Sequence, residues 1–92
     1  MRVHNLVWDE QNLDHIAEHQ VEWYEVEEAV YGLSIIRKGR GENRYFIYGQ
    51  TESGLYLTVI ADHEGGGWFY PVTAREMTFN ERRAYREATG KK

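Results

Sequence analysis

Arginines are the side chains of this sequence best suited to chemistry, and they are unevenly distributed. Residues 1–36 contain one cation and eight acids, whereas residues 37–92 contain ten cations and seven acids, so the two charge balances are −7 and +3. Guanidinium groups bind phosphodiesters through paired hydrogen bonds and stabilise the charge that grows on them during cleavage. The alternative is that each arginine forms a surface ion pair of little energetic value.

Five arginines from separate parts of the chain are candidates for such a site. Arg44 begins a predicted strand and Arg75 follows the last one, while Arg82, Arg83 and Arg86 lie in the final predicted helix. Cations in the first turns of a helix oppose its dipole, so helix stability does not explain Arg82 and Arg83. We expect Arg75, Arg82 and Arg83 to stabilise a transition state. Arg44, Arg75 and Arg86 are expected to bind the phosphate backbone.

Two side chains are candidates for proton transfer. Tyr85 lies among the arginines of the last helix, which would have to lower its ordinary pKa near 10. His19 has the better intrinsic pKa for work near neutrality. His15 and His19 are also four residues apart on a predicted helix, which is a two-ligand metal geometry. No third ligand accompanies them, so we expect no metal and no other cofactor.

Composition limits the class of protein. The length of 92 residues favours one domain spanning 1–92. The absence of cysteine excludes disulfides, thiol nucleophiles and cysteine zinc sites. No apolar run reaches the roughly 20 residues of a membrane span, and no export signal is visible, so we expect a cytoplasmic protein. The 14% aromatic content predicts an aromatic core that includes Trp8, Trp23 and Trp68.

Helical periodicity is present at both ends of the chain. Asp9 is the expected N-cap of the first helix, whose buried stripe would be formed by Leu13, Ile16 and Ala17. A second helix follows and ends near Gly32. Thr78 and Glu81 form a capping box that starts the last helix, which Gly90 ends.

Four strands are predicted between the helices, within the stretches "LSIIRKG", "RYFIYGQ", "LYLTVIA" and "WFYPVTA". The third is apolar on both faces, which is typical of a central strand. Pro71 cannot donate to a ladder, so the last strand should lie at an edge or contain a bulge. The predicted fold is α+β: a four-stranded antiparallel meander with two N-terminal helices and one C-terminal helix.

An ordered set of short motifs resembles the BrnT family of type II toxin–antitoxin toxins. It covers nearly the whole chain and comprises Trp8-Asp9, Glu18-His19-Gln20-Val21, Glu42-Asn43-Arg44, Thr73-Ala74-Arg75, Thr78 to Glu81, and Tyr85. The family's usual lysine and glycine around the histidine are replaced here by Glu18 and Gln20.

The resemblance implies a RelE-like fold and a metal-independent endoribonuclease that inhibits translation. It also implies neutralisation by a cognate antitoxin, usually a ribbon-helix-helix DNA-binding protein. The expected assembly is a homodimer of the chain or a toxin–antitoxin heterotetramer. The alternative is a non-catalytic protein-interaction or repressor-complex subunit on the same fold, which the replacement of the family lysine by Glu18 favours.

Overall fold

The computed structural model describes residues 1–90, and within them the chain forms three helices and five strands. In chain order these are β1 (Asn5–Leu6), α1 (Glu10–Glu18), α2 (Trp23–Tyr31), β2 (Ile35–Lys38), β3 (Arg44–Gln50), β4 (Tyr56–His63), β5 (Trp68–Glu76) and α3 (Phe79–Thr89). The α+β class and the three helices are confirmed. The sheet is five-stranded and mixed rather than four-stranded and antiparallel, because the two residues of β1, which the sequence does not predict as a strand, pair parallel with β5.

The strands are arranged in the order β1-β5-β4-β3-β2. β4 is central, as predicted, and pairs antiparallel with both β3 and β5. β1 pairs parallel with the start of β5, so it covers that edge only at Trp68 and Phe69. The register between β4 and β5 shifts between Ile60 and Ala61, which pair with Thr73 and Pro71. The predicted irregularity near Pro71 is therefore confirmed as a bulge.

Helix α1 begins as the sequence predicts, but it buries a different stripe. Asp9 accepts a hydrogen bond from the backbone N–H of Asn12, and the Asn12 side chain accepts one from that of Asp9. The Asn12 amide also donates to the carbonyl oxygens of Val7 and Pro71, which ties the helix to β5. Ile16 is buried, whereas Leu13 and Ala17 are exposed, so the predicted stripe is wrong at two of its three positions.

The core between the sheet and the first two helices is mostly aliphatic. It contains Leu6, Ile16, Val21, Val26, Ala29, Val30, Ile47, Leu57, Val59, Ala61, Phe69 and Ala74. Trp8 packs partly against this core, but Trp23 and Trp68 are 47% and 48% exposed. The expected tryptophan core is therefore wrong for two of its three members, and the buried positions are occupied mainly by smaller aliphatic side chains.

Helix α3 lies on the opposite face of the sheet. Its capping box is formed as predicted, with hydrogen bonds from the Glu81 backbone to the Thr78 side chain and from the Thr78 backbone to the Glu81 side chain. Gly90 ends the helix in the left-handed conformation. Tyr85 is fully buried and contacts the ring of Tyr56 edge-on, so α3 covers one end of this face.

Candidate nucleic-acid interface

Within residues 1–90, α3 is the only helix that contacts the second face of the sheet, and it covers one end of that face. Neighbouring residues of antiparallel strands share a face, so the register defines two rows of side chains across β2 to β5. The row beside α3 contains Ile35, Tyr48, Thr58 and Arg75. The next row contains Arg37, Phe46, Ile60 and Thr73. We call this surface the uncovered face.

A groove of about 440 Å³ opens on the uncovered face at the β2–β3 hairpin. It is lined by Lys38, Gly39, Arg40, Arg44, Phe46 and Ile60, and we call it the basic groove. Phe46 and Ile60 make its floor apolar, Arg40 and Arg44 line it, and Arg37 pairs with Phe46 in the adjacent strand. The Lys38 ammonium is engaged elsewhere, because it donates to the Gly41 carbonyl oxygen and lies 5.0 Å from the centre of the Tyr45 ring. A basic rim over an aromatic floor is an arrangement that binds single-stranded nucleic acid through phosphates and stacked bases.

Arg75 is held rigidly at the edge of the uncovered face. Its guanidinium donates to both carboxylate oxygens of Glu81, at 2.7 and 3.0 Å, and to the carbonyl oxygen of Glu76 at 3.2 Å. Glu81 also accepts hydrogen bonds from the Thr58 hydroxyl and the Thr78 backbone. The Arg75 bonds, followed by those from Thr78 and Thr58, lower the pKa of Glu81 to about 2 although burial opposes this.

The consequence for chemistry is that Glu81 positions Arg75 and is a poor proton acceptor. A carboxylate with a pKa of about 2 has little affinity for a proton near neutrality. Arg75 spends three of its five N–H donors on Glu81 and Glu76. Its side chain is 37% exposed, so the remaining donors are available to an anion.

Tyr48 lies in the row beside α3, pairs with Ile35 and Thr58, and is 7% exposed. Burial and the charge of Glu81 raise the pKa of its hydroxyl, whereas Arg37 and Arg75 partly oppose them. The hydroxyl is therefore protonated near neutrality and able to donate. Arg37 is exposed and forms no ion pair with any residue between 1 and 90. Sequence reasoning missed Arg37, and it did not identify Tyr48 as a proton donor.

Arg44 lies on the same face as Arg75 but at the other end. It forms a bidentate pair with Asp62 at 2.7 and 3.2 Å. Asp62 and Thr58, which pairs with Arg75, are four residues apart on β4, a distance of about 13 Å. Arg44 therefore lines the basic groove without contacting Arg75, so the predicted arginines only partly converge.

The arginines of α3 form a second basic surface. Phe79, Arg82, Arg83 and Arg86 line a cavity of about 460 Å³, and Phe79 is 77% exposed. The Arg82 guanidinium stacks 4.3 Å from the centre of the Tyr56 ring, next to the row that contains Arg75. Arg83 makes only a loose, exposed pair with Glu87 at 3.5 Å. Arg83 and Arg86 thus belong to the outer side of α3.

Neither predicted proton-transfer residue reaches the uncovered face. Tyr85 is fully buried, donates its hydroxyl hydrogen to the carbonyl oxygen of Leu33 at 2.6 Å, and has a pKa raised chiefly by burial. His19 caps the C-terminus of α1, which packs with the core on the other face, and its ring contacts His15 edge-on. Helical spacing shows which residues are neighbours on the same helix, but it does not show which side of that helix packs against the sheet.

Acidic and histidine side chains are dispersed in the part of the chain that the structure describes. Within residues 1–90, no group of three histidine or carboxylate side chains lies close enough together to hold a metal ion. None of the helices between residues 1 and 90 is long and apolar enough to cross a membrane.

Comparison of the sequence with models of known families and with curated proteins gives no match.

Proposed function

We propose that this chain is a BrnT-like toxin with a RelE-like fold, which binds RNA in the basic groove and cleaves it without a metal. The proposal is carried by one observation: the cations of the β2–β3 hairpin surround an apolar-floored groove on the face where Arg75 is fixed. The ordered sequence motifs add the expectation of a toxin–antitoxin role in the cytoplasm. The proposed partner is a cognate antitoxin of the ribbon-helix-helix type.

The groove accounts for RNA binding by two kinds of contact. Arg37 and Arg40, which are exposed and form no ion pair within residues 1–90, contact phosphates along the RNA strand, and this makes the affinity depend on salt. Phe46 stacks against a base, a contact that tolerates any base because each has a π-face. The acidic first half of the chain lies away from the groove, since α1 and α2 pack on the other face.

Cleavage would use groups that stabilise charge on the phosphate. The RNA 2′-hydroxyl loses its proton to water and attacks the adjacent phosphorus, so that negative charge grows on the phosphate oxygens. The bond from phosphorus to the 5′-oxygen then breaks and leaves a 2′,3′-cyclic phosphate. Arg37 and Arg75, whose charges both act on the Tyr48 hydroxyl, would stabilise this charge. The protonated Tyr48 hydroxyl donates its proton to the departing 5′-oxygen.

Cleavage of a single-stranded RNA by the purified protein tests this proposal. We expect cleavage of the RNA and none of the same strand made of DNA, which lacks the 2′-hydroxyl. Arg75→Gln should lower the rate by about 100-fold because it removes a charge stabiliser. The matched control is Arg83→Gln, because Arg83 carries the same charge but is only loosely paired on α3. Its cleavage rate should stay within about twofold of the rate of the parent protein. An intact RNA, or equal rates for both variants, would contradict the enzyme proposal.

The second candidate function is a non-catalytic binding subunit. It is favoured by the pairing of Arg44 and Arg75 with carboxylates and by the low pKa of Glu81, which leaves no good proton acceptor identified beside Tyr48. The same experiment separates the two. Retention of RNA on the parent protein without any cleavage product identifies the binding subunit, and growth arrest on expression identifies the toxin.

A further inference from the structure

Helix α2 presents aromatic and acidic side chains to solvent along one side. Trp23, Tyr24 and Tyr31 are 47%, 49% and 48% exposed, and the rings of the first two meet edge-on at 5.9 Å. Glu27 and Glu28 lie between them at helical spacing. We call these five residues the outer stripe of α2. Fixed aromatic side chains with this much exposed area are typical of interaction surfaces.

The two carboxylates of the stripe are held in position. Glu27 accepts a hydrogen bond from the indole nitrogen of Trp8 at 3.0 Å. Glu28 accepts one from the backbone N–H of Glu52 at 3.2 Å. Each carboxylate keeps further acceptor capacity. The stripe therefore offers preorganised acceptors beside exposed rings.

The charge of the surrounding segment decides what kind of partner fits. Residues 9–31, which include α1 and α2, contain eight acids and neither lysine nor arginine. A basic partner gains from this potential, and an acidic or polyanionic one is repelled. At the end of α2 the stripe adjoins a cavity of about 520 Å³ whose lining includes Val30, Tyr31 and Leu33 together with Arg2, so the cations of a partner fit beside Glu27 and Glu28 rather than in the cavity. Leu33 is 53% exposed, so the partner must also carry apolar side chains.

We propose that the outer stripe of α2 docks a lysine- or arginine-rich amphipathic segment of a partner protein. The apolar side chains of that segment pack on Trp23, Tyr24 and the adjoining cavity, and its cations pair with Glu27 and Glu28. A second copy of the chain is a poorer fit because each copy carries a net charge of −4. The proposal is independent of RNA cleavage, which takes place on the other face of the sheet.

The test uses a fluorescent synthetic helix of lysine and leucine as the probe, with a glutamate-and-leucine helix as its charge control. We expect the basic helix to bind and the acidic helix not to bind. Trp23→Ala should weaken binding by about tenfold or more, as truncation of an aromatic anchor does. Trp68→Ala is the matched control because Trp68 is equally exposed but lies on β5, and it should change the affinity by less than about twofold.

A charge-removing pair of substitutions tests the acidic half of the stripe. Glu27→Gln with Glu28→Gln keeps an oxygen acceptor for Trp8 and Glu52 while it removes both charges. It should weaken binding of the basic helix by about tenfold, whereas Glu64→Gln with Glu76→Gln, at exposed acids elsewhere, should have little effect.

Three results would overturn the docking proposal. The first is the absence of basic-helix binding, and the second is equal weakening by the stripe variants and their controls. The third is concentration-dependent self-association of the parent protein that the double glutamine variant abolishes, since the stripe would then bind a second copy. RNA cleavage is measured on the same preparations, so failure of the docking proposal is distinguishable from failure of the enzyme proposal.

Discussion

Replacing Glu81 by glutamine removes the carboxylate that holds Arg75 while it keeps the size of the side chain. The glutamine oxygen can still accept from Thr58 and Thr78. In the parent protein, one Arg75 N–H group donates to the second carboxylate oxygen of Glu81. In the variant, the NH2 group of the glutamine takes the place of that oxygen and faces the same Arg75 donor. Two donors then oppose each other, so Arg75 loses its fixed orientation. Glu81→Gln should therefore affect both stability and the proposed site.

The expected magnitude follows from the pKa of Glu81. Its folded value of about 2 lies below the ordinary 4.5, and that gap corresponds to about 3 kcal/mol of folding free energy at neutral pH. The Glu81 side chain is only 15% exposed, but Arg75 is 37% exposed and its interaction is partly screened by solvent. We therefore expect Glu81→Gln to cost about 1.5 to 3 kcal/mol at pH 7.

The sign of the pH dependence is set by the lowered pKa. Between about pH 4.5 and pH 2 the unfolded chain binds a proton at Glu81 that the folded chain does not. The stabilisation is therefore complete above pH 4.5 and is lost as the pH falls through this window. Urea unfolding followed by circular dichroism at pH 7, 5, 4 and 3 should show a steeper loss of stability in the parent protein than in Glu81→Gln.

The control for this prediction is Glu87→Gln, because Glu87 forms only the exposed, 3.5 Å pair with Arg83. Its stability should differ from the parent by less than about 0.5 kcal/mol at every pH. Parallel pH profiles for the parent and Glu81→Gln would show that Glu81 is not selectively ionised by Arg75, which would refute the reasoning.

Three further substitutions test local features of the fold. Gln20→Gly should stabilise the protein by about 0.5 to 1 kcal/mol, because Gln20 has a φ of 63° that glycine adopts without strain. Gly49→Ala should destabilise it by about 3 kcal/mol or more, since the added Cβ would lie 2.1 Å from the Ala29 carbonyl oxygen. Tyr85→Phe should cost about 1 kcal/mol because it removes the hydrogen bond from the Tyr85 hydroxyl to the Leu33 carbonyl oxygen. Chemical denaturation measures all three.

Each of these substitutions has a control elsewhere in the chain. Ala17→Gly, at an exposed helical position, should destabilise by about 1 kcal/mol, opposite in sign to Gln20→Gly. Gly65→Ala meets no atom within 4 Å and should cost only the strain of its positive φ, about 1 kcal/mol. Tyr24→Phe, at an exposed ring, should be neutral. A variant that behaves like its control would contradict the contact assigned to it.

Features encoded by neighbouring residues could be predicted from the sequence. The Asp9 and Thr78 caps depend on residues three positions away, and the bulge depends on the missing donor of Pro71. Strand β1 could not be predicted because its two residues pair with Trp68 and Phe69, more than 60 positions later in the chain. The exposure of Trp23 likewise depends on which side of α2 packs against the sheet. The sequence of the helix alone does not determine that side.

The candidate interface was predicted only in part. Arg44 and Arg75 were singled out and both lie on the uncovered face, but their separation depends on the strand register. Arg40 was missed, although the cations crowded around the loop between β2 and β3 were a visible signal. Tyr85 was placed beside the arginines by helical spacing alone, whereas packing against Tyr56 turns it into the core.

The central claim is that RNA binds in the basic groove, and the salt dependence of binding to a non-cleavable single strand measures this directly. Arg40→Gln with Arg37→Gln should weaken binding and make the slope of log affinity against log salt shallower by about 1.4, because two phosphate contacts are lost. Arg83→Gln with Arg86→Gln removes the same charge from the outer side of α3 and should leave the slope unchanged. Equal slopes for the two double variants, or a larger change for the α3 pair, would contradict the placement of RNA in the groove.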